Sequence, residues 1–372
     1  MRILLVGGGT AGHLIPISAV ISEIKKITRE KNLEKPEFLL ISDSNQFKEY
    51  LIGAEIPCKF IKAAKLRRYW SLKNFIDFFK IPISIVQSLW HVFWYMPDVV
   101  FSKGGYVALP VVFVSWLYRI PVIIHESDIE PGASNRISLR FVQKIAVSFK
   151  ETQKYFPSDK VVLTGNPIRE TILKGDKNRA QEIFKLNPEK QTVFIIGGSQ
   201  GARRLNEILF EILPEILGKC QVIHQCGIKN YNEAKKRIER MNLPQISDYH
   251  LFPFLKESMK DAYAAADVIV SRAGANALAE IMALGKPSIL IPLPNAAQDH
   301  QTKNAFYFSQ RGAAILMEEP NLQVHILKGK ILGLLDDNLW RMRISRVALS
   351  LARPDAARKV AEEVLRLAKV LE

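Results

Sequence analysis

His13 is the residue of this chain best placed for proton transfer. It ends the loop Gly7-Gly8-Gly9-Thr10-Ala11-Gly12-His13, which follows the apolar run Ile3-Leu4-Leu5-Val6. After it come Leu14, Ile15, Ile17, Val20, Ile21 and Ile24 at helical spacing. Strand, glycine loop and helix make an anion site. Glycines let the backbone approach a ligand, and the helix N-terminus offers unpaired N–H groups and partial positive charge. An imidazole there stands beside whatever the loop holds and can take its proton; the plain alternative is a helix N-terminal residue without chemistry. Gly7, Gly9 and Gly12 also match the dinucleotide pattern, which alone is a weak signal and wants an acid about 20 residues on. At the tip of the second strand, where that acid is wanted, the nearest is Asp43, 31 residues after Gly12.

The same arrangement recurs. Thr192-Val193-Phe194-Ile195-Ile196 leads into Gly197-Gly198-Ser199-Gln200-Gly201-Ala202-Arg203, followed by Leu205, Ile208, Leu209, Ile212 and Leu213. Ser199 and Gln200 read equally as helix caps. Other polar loops follow apolar runs: Ser102-Lys103-Gly104-Gly105-Tyr106; His125-Glu126-Ser127-Asp128; Ser271 to Glu280; and Asn295 to Gln301. In open α/β sheets, ligands bind at the carboxyl ends of strands. Two sets of such loops imply a ligand held in a cleft between two domains. Glu280 sits in a helix that opens at a strand end, where its carboxylate can accept from ribose hydroxyls or simply be solvated.

These loops need two parallel sheets. Strands are expected at 2–6, 37–42, 98–102, 121–125, 144–148 and 160–164, then at 192–196, 220–225, 248–252, 267–270 and 287–291. Helices are expected at 13–30, 45–53, 72–95, 107–118, 132–140, 150–155, 202–217, 229–241, 257–265, 274–284, 298–311 and 321–335. Regular alternation means parallel sheets with helices on both faces, hence two Rossmann-like α/β domains. The expected division is 1–163 and 164–338, with a hinge at 156–167. The helical end 339–372, interrupted by Pro354, is expected to pack back on the first domain. The chain has 372 residues, enough for two such cores.

Charge is uneven, 52 basic against 37 acidic residues, a formal +15. This leaves nucleic acid, an anionic membrane and phosphorylated substrates as partner classes. Cys58, Cys220 and Cys226 show no metal spacing and read as idle thiols of a reducing compartment. The five-residue apolar start reads as a first strand and not as a signal peptide. From Lys59 to Lys80, basic residues interleave with aromatics, and Ile81 to Met96 has no charged side chain. Too short to span a bilayer, the stretch suits an anionic membrane surface through Lys65, Arg67, Arg68, Trp70, Lys73, Phe75, Phe78 and Phe79. The alternative is a pair of ordinary core helices.

Taken in order, Gly-Gly-Thr-x-Gly-His, Gly-Gly-Tyr, His-Glu-Ser-Asp, Gly-Asn-Pro-Ile-Arg (165–169), Gly-Gly-Ser-Gln-Gly-Ala-Arg, Arg-Ala-Gly-Ala…Glu and Asp-His-Gln-Thr-Lys-Asn-Ala (299–305) closely resemble one family. It is the UDP-N-acetylglucosamine:N-acetylmuramyl-(pentapeptide) pyrophosphoryl-undecaprenol N-acetylglucosamine transferases, and the likeness spans nearly the whole chain. The resemblance implies a two-domain GT-B glycosyltransferase at the cytoplasmic face of the bacterial plasma membrane. It would add N-acetylglucosamine to lipid I, giving lipid II for peptidoglycan. It further implies Thr10, Ala11 and Gly12 near donor sugar and acceptor pyrophosphate, and Arg169, Ser199 and Gln301 on the donor. Ala275, Asn276, Ala277, Leu278, Ala279 and Glu280 would wrap ribose and phosphate, and the Leu255 backbone would meet uracil. Asp128 stands where some members have Asn, which questions its donor contact.

On that reading, UDP-N-acetylglucosamine is the donor substrate and no metal or other cofactor is required. Helix N-termini, Ser199 and Arg169 would hold the leaving diphosphate. His13 is the first choice of base for the acceptor 4-hydroxyl, and Glu126 the second. Partners would be the undecaprenyl-linked acceptor, the anionic inner-membrane surface and candidate cell-wall and division proteins, with no nucleic acid. The competing enzyme is a UDP-N-acetylglucosamine epimerase on the same scaffold; the competing non-enzyme is a basic nucleic-acid- or membrane-binding protein.

Overall fold

The computed structural model describes all residues except 9–10, 44–55, 65–71, 199–200, 295 and 372, and the side chains of 11, 72–78 and 297 are likewise left aside. The chain divides into two compact units, Met1–Arg169 with Arg353–Glu372, and Glu170–Ala352.

The first unit holds strands β1 (Arg2–Val6), β2 (Glu37–Ser42), β3 (Cys58–Phe60), β4 (Val99–Ser102), β5 (Val122–Glu126), β6 (Lys144–Val147) and β7 (Val161–Leu163). They pair in parallel in the order β3-β2-β1-β4-β5-β6-β7. Successive β1 residues face opposite sides, as the two-residue period of a strand requires. Ile3 and Leu5 pack with Leu14, Ile17 and Val20 of helix Ala11–Glu30, whereas Leu4 and Val6 pack with Val107, Val111 and Val114. Both faces are covered, which is why the strand has no polar residue beyond Arg2.

The second unit holds β8 (Gln191–Ile196), β9 (Cys220–Gln225), β10 (Tyr249–Phe252), β11 (Val268–Ser271), β12 (Ser288–Leu290) and β13 (Ile315–Leu316), in the order β10-β9-β8-β11-β12-β13. Val193 and Ile195 face a core with Leu205, Leu209, Leu327 and Ile331. Phe194 faces the other side, where Tyr263 meets it edge-on with ring centroids 5.5 Å apart.

The expected strands are all present, with ends moved by a residue or two. Two were not expected, β3 and β13, of three and two residues. Each is an edge strand too short to show a period. Helix Lys177–Phe184 was also missed, although Asp176 caps it by accepting from Arg179 N–H at 2.7 Å. The expected helix 45–53 lies outside the described residues.

The C-terminal segment is shared between the units. Helix Asn338–Leu351 belongs to the second and packs on helix Ala275–Ala283. There Gly285 has φ +59°, and a Cβ on it would lie 2.6 Å from Leu349. Only the part from Arg353 returns to the first unit. Helix Ala356–Leu367 lays Val360, Ala361, Val364 and Leu365 on the face that Ile3 and Leu5 present. Of the stretch 339–372, therefore, only the portion beyond the Pro354 break makes the expected return.

Candidate active site

Both sheets run 3-2-1-4 at their centres, so each has one place where the direction of winding reverses. Connections leave β1 and β4 toward opposite faces, and likewise β8 and β11, opening a crevice at their carboxyl ends. In the first unit the segments there are Gly7–Gly8 with the first turn of helix Ala11–Glu30, which carries His13, and Ser102–Tyr106; in the second they are Gly197–Gly198 with Gly201–Ala202, and Arg272–Gly274.

In the first crevice the His13 Nδ1 bonds to Gly8 O. A carbonyl only accepts, so Nδ1 carries the proton and Nε2 keeps its lone pair. The ring packs against Gly105, whose φ is +85°; a Cβ there would sit 3.0 Å from His13 Cε1. Burial holds the His13 pKa below the ordinary value; the Gly8 bond opposes this, the Lys103 charge adds to it, and Asp128 and Asp43 pull back. At neutral pH His13 is thus an unprotonated imidazole.

Lys103 was quoted within its loop but given no role. It is 3% exposed. Its Nζ donates to His125 Nδ1 at 2.8 Å and to Ser127 Oγ, and His125 Nε2–H donates to Gly165 O at 2.8 Å. Burial lowers its pKa to about 8 against the pull of Glu126 and Asp128. Burial, then the Lys103 charge, keeps His125 neutral well into acid. One cation thereby ties together the ends of β4, β5 and β7. The signal available in the sequence was a lysine between a strand and two glycines, flush with an apolar run.

Glu126, the second-choice base, has its carboxylate engaged by its own loop. It is 4% exposed, and its carboxylate accepts from Asp128 N–H (3.0 Å), Gly132 N–H (2.9 Å) and Asn135 Nδ2 (2.8 Å). Burial raises its pKa, Asp128 adds to this, and those hydrogen bonds oppose it. A carboxylate so engaged closes the 126–132 turn. Asp128 is half-buried, and its charge is felt by His13, Lys103 and Glu126, which places it among the first-unit loops. Asp43 follows β2 and accepts from Tyr106 Oη. A Cβ on Gly8 would fall 2.5 Å from its Oδ1, so a side chain there would displace Asp43. Gly12 is exposed in the first turn of its helix. Thr10 and the Ala11 side chain lie outside the described residues.

In the second crevice, helix Ala275–Ala283 begins at Gly274, and its first ladder bond runs from Leu278 N–H to Gly274 O at 3.0 Å. The N–H groups of Ala275, Asn276 and Ala277 precede that ladder, at the end of the helix that carries the partial positive charge. Leu278 is 1% exposed and points into the core, so it can offer only backbone. Ala279 is half-buried; Glu280 is 6% exposed and accepts from Tyr263 Oη at 3.0 Å. Gln301, in the first turn of helix His300–Gln310, accepts from Leu293 N–H at 3.0 Å. Leu255 is buried, and its N–H donates to Gln225 Oε1 at 2.8 Å. Of the Leu255 backbone expected to meet uracil, the N–H is thus engaged by Gln225. Arg169 is half-buried at the end of the first unit. Ser199 lies outside the described residues.

The loop before helix Arg203–Ile216 is braced from beneath. Tyr249 Oη donates to His224 Nδ1 (2.6 Å), His224 Nε2–H to Asn206 Oδ1 (3.0 Å), and Asn206 Nδ2 to Cys226 O (3.1 Å). Burial drops the His224 pKa to about 3. A Cβ on Gly201, with φ +85°, would fall 2.6 Å from Cys226 O.

Two parallel-sheet units, each with a glycine loop at its winding reversal, define the GT-B class of glycosyltransferases. Residues 3–147 match the glycosyltransferase family 28 N-terminal domain, and residues 192–360 match the family 28 C-terminal domain. The chain belongs to the family of UDP-N-acetylglucosamine–N-acetylmuramyl-(pentapeptide) pyrophosphoryl-undecaprenol N-acetylglucosamine transferases. A relative of that name from Legionella pneumophila (strain Lens) is 41% identical over 87% of this chain and 86% of its own. One from Bacillus anthracis, the second so named there, is 38% identical over 88% and 89%. Among solved structures, Acinetobacter baumannii MurG has a TM-score of 0.73 at 24% identity, covering 98% of this chain and 100% of that one. A Neisseria meningitidis UDP-GlcNAc 2-epimerase reaches 0.71 at 16%, covering 98% and 100%. The fold is thus common to transferases and epimerases, and the sequence relatives separate them.

Proposed function

We propose that this protein transfers N-acetylglucosamine from UDP-N-acetylglucosamine to the 4-hydroxyl of the N-acetylmuramyl unit of lipid I, giving lipid II. The observation that carries the chemistry is the tautomer of His13. With Nδ1–H committed to Gly8 O, Nε2 is the atom that removes the acceptor's hydroxyl proton. The freed oxygen attacks the anomeric carbon from the face opposite UDP, so an α-linked donor gives a β-linked product in one displacement. UDP binds the second unit, its diphosphate charge met by the N-terminus of helix Ala275–Ala283 and its ribose by Glu280.

The acceptor is tethered to a polyprenyl chain, so the first unit must work against a membrane. None of the helices searched among the described residues is long and apolar enough to cross one. Helix Leu72–Tyr95 instead has two faces. Ile85, Ser88, Leu89 and Val92 turn to the core, while Val86 (64% exposed), Trp90 (62%), Phe93 and Trp94 (66%) turn outward. Phe79 and Ile83 continue the outward stripe, and Tyr118 meets Phe93 with centroids 6.4 Å apart. The alternative of an ordinary core helix for 81–96 does not account for this outward stripe. Lys59 and Lys62 flank it: Lys62 N–H donates to Gln87 Oε1 at 2.8 Å, and the Lys59 charge helps lower the His91 pKa, after burial. An apolar stripe beside cations suits the anionic cytoplasmic leaflet. Of the residues expected to dock, Phe79 is exposed; Lys65, Arg67, Arg68, Trp70 and the side chains of Lys73, Phe75 and Phe78 lie outside the described residues.

The deciding experiment supplies labelled UDP-N-acetylglucosamine to the purified protein with and without lipid I in detergent. Label appearing in lipid II supports the assignment. Conversion of the UDP-sugar to its C2 epimer without acceptor would replace it.

A further inference from the structure

Glu280 and Tyr263 come from different helices, Ala275–Ala283 and Met259–Ala265, yet meet in a direct hydrogen bond. The phenol donates and Glu280 Oε2 accepts, at 3.0 Å. Tyr263 is 1% exposed, its ring held edge-on by Phe194 of the central strand β8. Its hydroxyl is therefore presented by the rigid middle of the sheet. Glu280 is otherwise a long side chain with three torsions, at a helix whose N-terminus opens on the winding reversal. A hydrogen bond from a locked donor to a carboxylate, in a site largely shielded from water, orients that carboxylate.

We propose that Tyr263 is a positioning residue for nucleotide selection: its hydroxyl sets the Glu280 carboxylate to receive the ribose hydroxyls of the UDP donor. The inference rests on the reading of Glu280 as the ribose ligand. A site built to bond a hydroxyl discriminates strongly against an analogue lacking it, provided its own polar group is held in place. Tyr263 supplies the holding and does not itself touch the nucleotide. Phenylalanine at this position fills nearly the same space and donates nothing.

The experiment measures binding of UDP and of 2′,3′-dideoxy-UDP to the parent, Tyr263→Phe, Glu280→Ala and the double variant, with thermal melting of each. For Tyr263→Phe, UDP affinity falls about fivefold, a fraction of a charged hydrogen bond, and dideoxy-UDP affinity stays unchanged. Glu280→Ala loses at least as much for UDP alone, and the double variant is no weaker than Glu280→Ala, because the two residues act as one unit. If Tyr263→Phe leaves UDP binding intact, or weakens both nucleotides equally while Glu280→Ala stays selective, Tyr263 is core packing and the proposal falls by itself. If Glu280→Ala weakens both nucleotides equally, the ribose reading fails and takes the proposal with it.

Discussion

At the scale of single residues, the proposed base is His13, acting through the atom its hydrogen bond leaves basic. Replacing it with alanine should lower turnover by about 10²–10⁴-fold, the usual worth of a positioned base, with little change in UDP affinity. A loss below tenfold would move the base elsewhere. The active form is the neutral imidazole, and burial sets its pKa below the ordinary 6.5. Activity should therefore hold across neutral pH and fall only as acid protonates Nε2, with an apparent pKa under 6.5. Glu126→Gln separates the two carriers suggested by sequence. It should loosen the 126–132 turn yet keep the acid limb; disappearance of that limb would return Glu126 to the chemistry.

At the scale of elements, helix Leu72–Tyr95 and helix Ala275–Ala283 do different electrostatic work. In the proposed function the first lays its apolar stripe on lipid. Changing Val86, Trp90 and Trp94 together to Ser should sharply reduce binding to anionic vesicles while UDP binding persists. Changing Lys65, Arg67, Arg68 and Lys73 to Gln should weaken binding mainly at low salt, since each cation near the surface adds about 1 kcal/mol and is screened. Vesicle binding that survives both sets would place the docking face elsewhere. In the proposed function the second helix meets diphosphate charge with its N-terminus. Turnover in excess chelator should match turnover without it, and a loss restored by magnesium would show the diphosphate site to be misassigned.

For the molecule as a whole, each unit carries a fully buried neutral histidine, His125 and His224. Both have folded-state pKa values depressed by burial, His224 to about 3. The sign follows: below the unfolded value of about 6.5 the unfolded chain binds a proton that the folded chain refuses. Stability is thus fully present above pH 6.5 and drains as pH falls, for His224 down to about 3. Between pH 7.5 and 5.5 His224 should remove about 1.3 kcal/mol from its unit, and His125 acts in the same direction in the other. Urea unfolding at the two pH values checks this. A His224→Gln protein should lose less on acidification than the parent, and an equal loss would refute the linkage.

Sequence by itself determined the parallel strands, both glycine loops, the alternation into two α/β units and the family, because these signals are local. An apolar run such as Ile3–Val6 needs no partner to read as a buried strand, and Gly7 to His13 reads as a loop opening a helix. Helix Leu72–Tyr95 was placed to the residue by its composition, but its exposed face was not, since apolar residues run all round it. Only the tertiary structure decided what meets across strands: Lys103 with His125, Tyr263 with Glu280, Asp43 with Tyr106. In a parallel sheet, neighbours in space are set by strand order and crossovers, which bring together residues 22, 17 and 63 positions apart. The burial of the Leu278 side chain in the core likewise depends on the folded sheets. The type of a side chain is written in the chain, but the donors that occupy it come from segments that only the folded sheets place beside it.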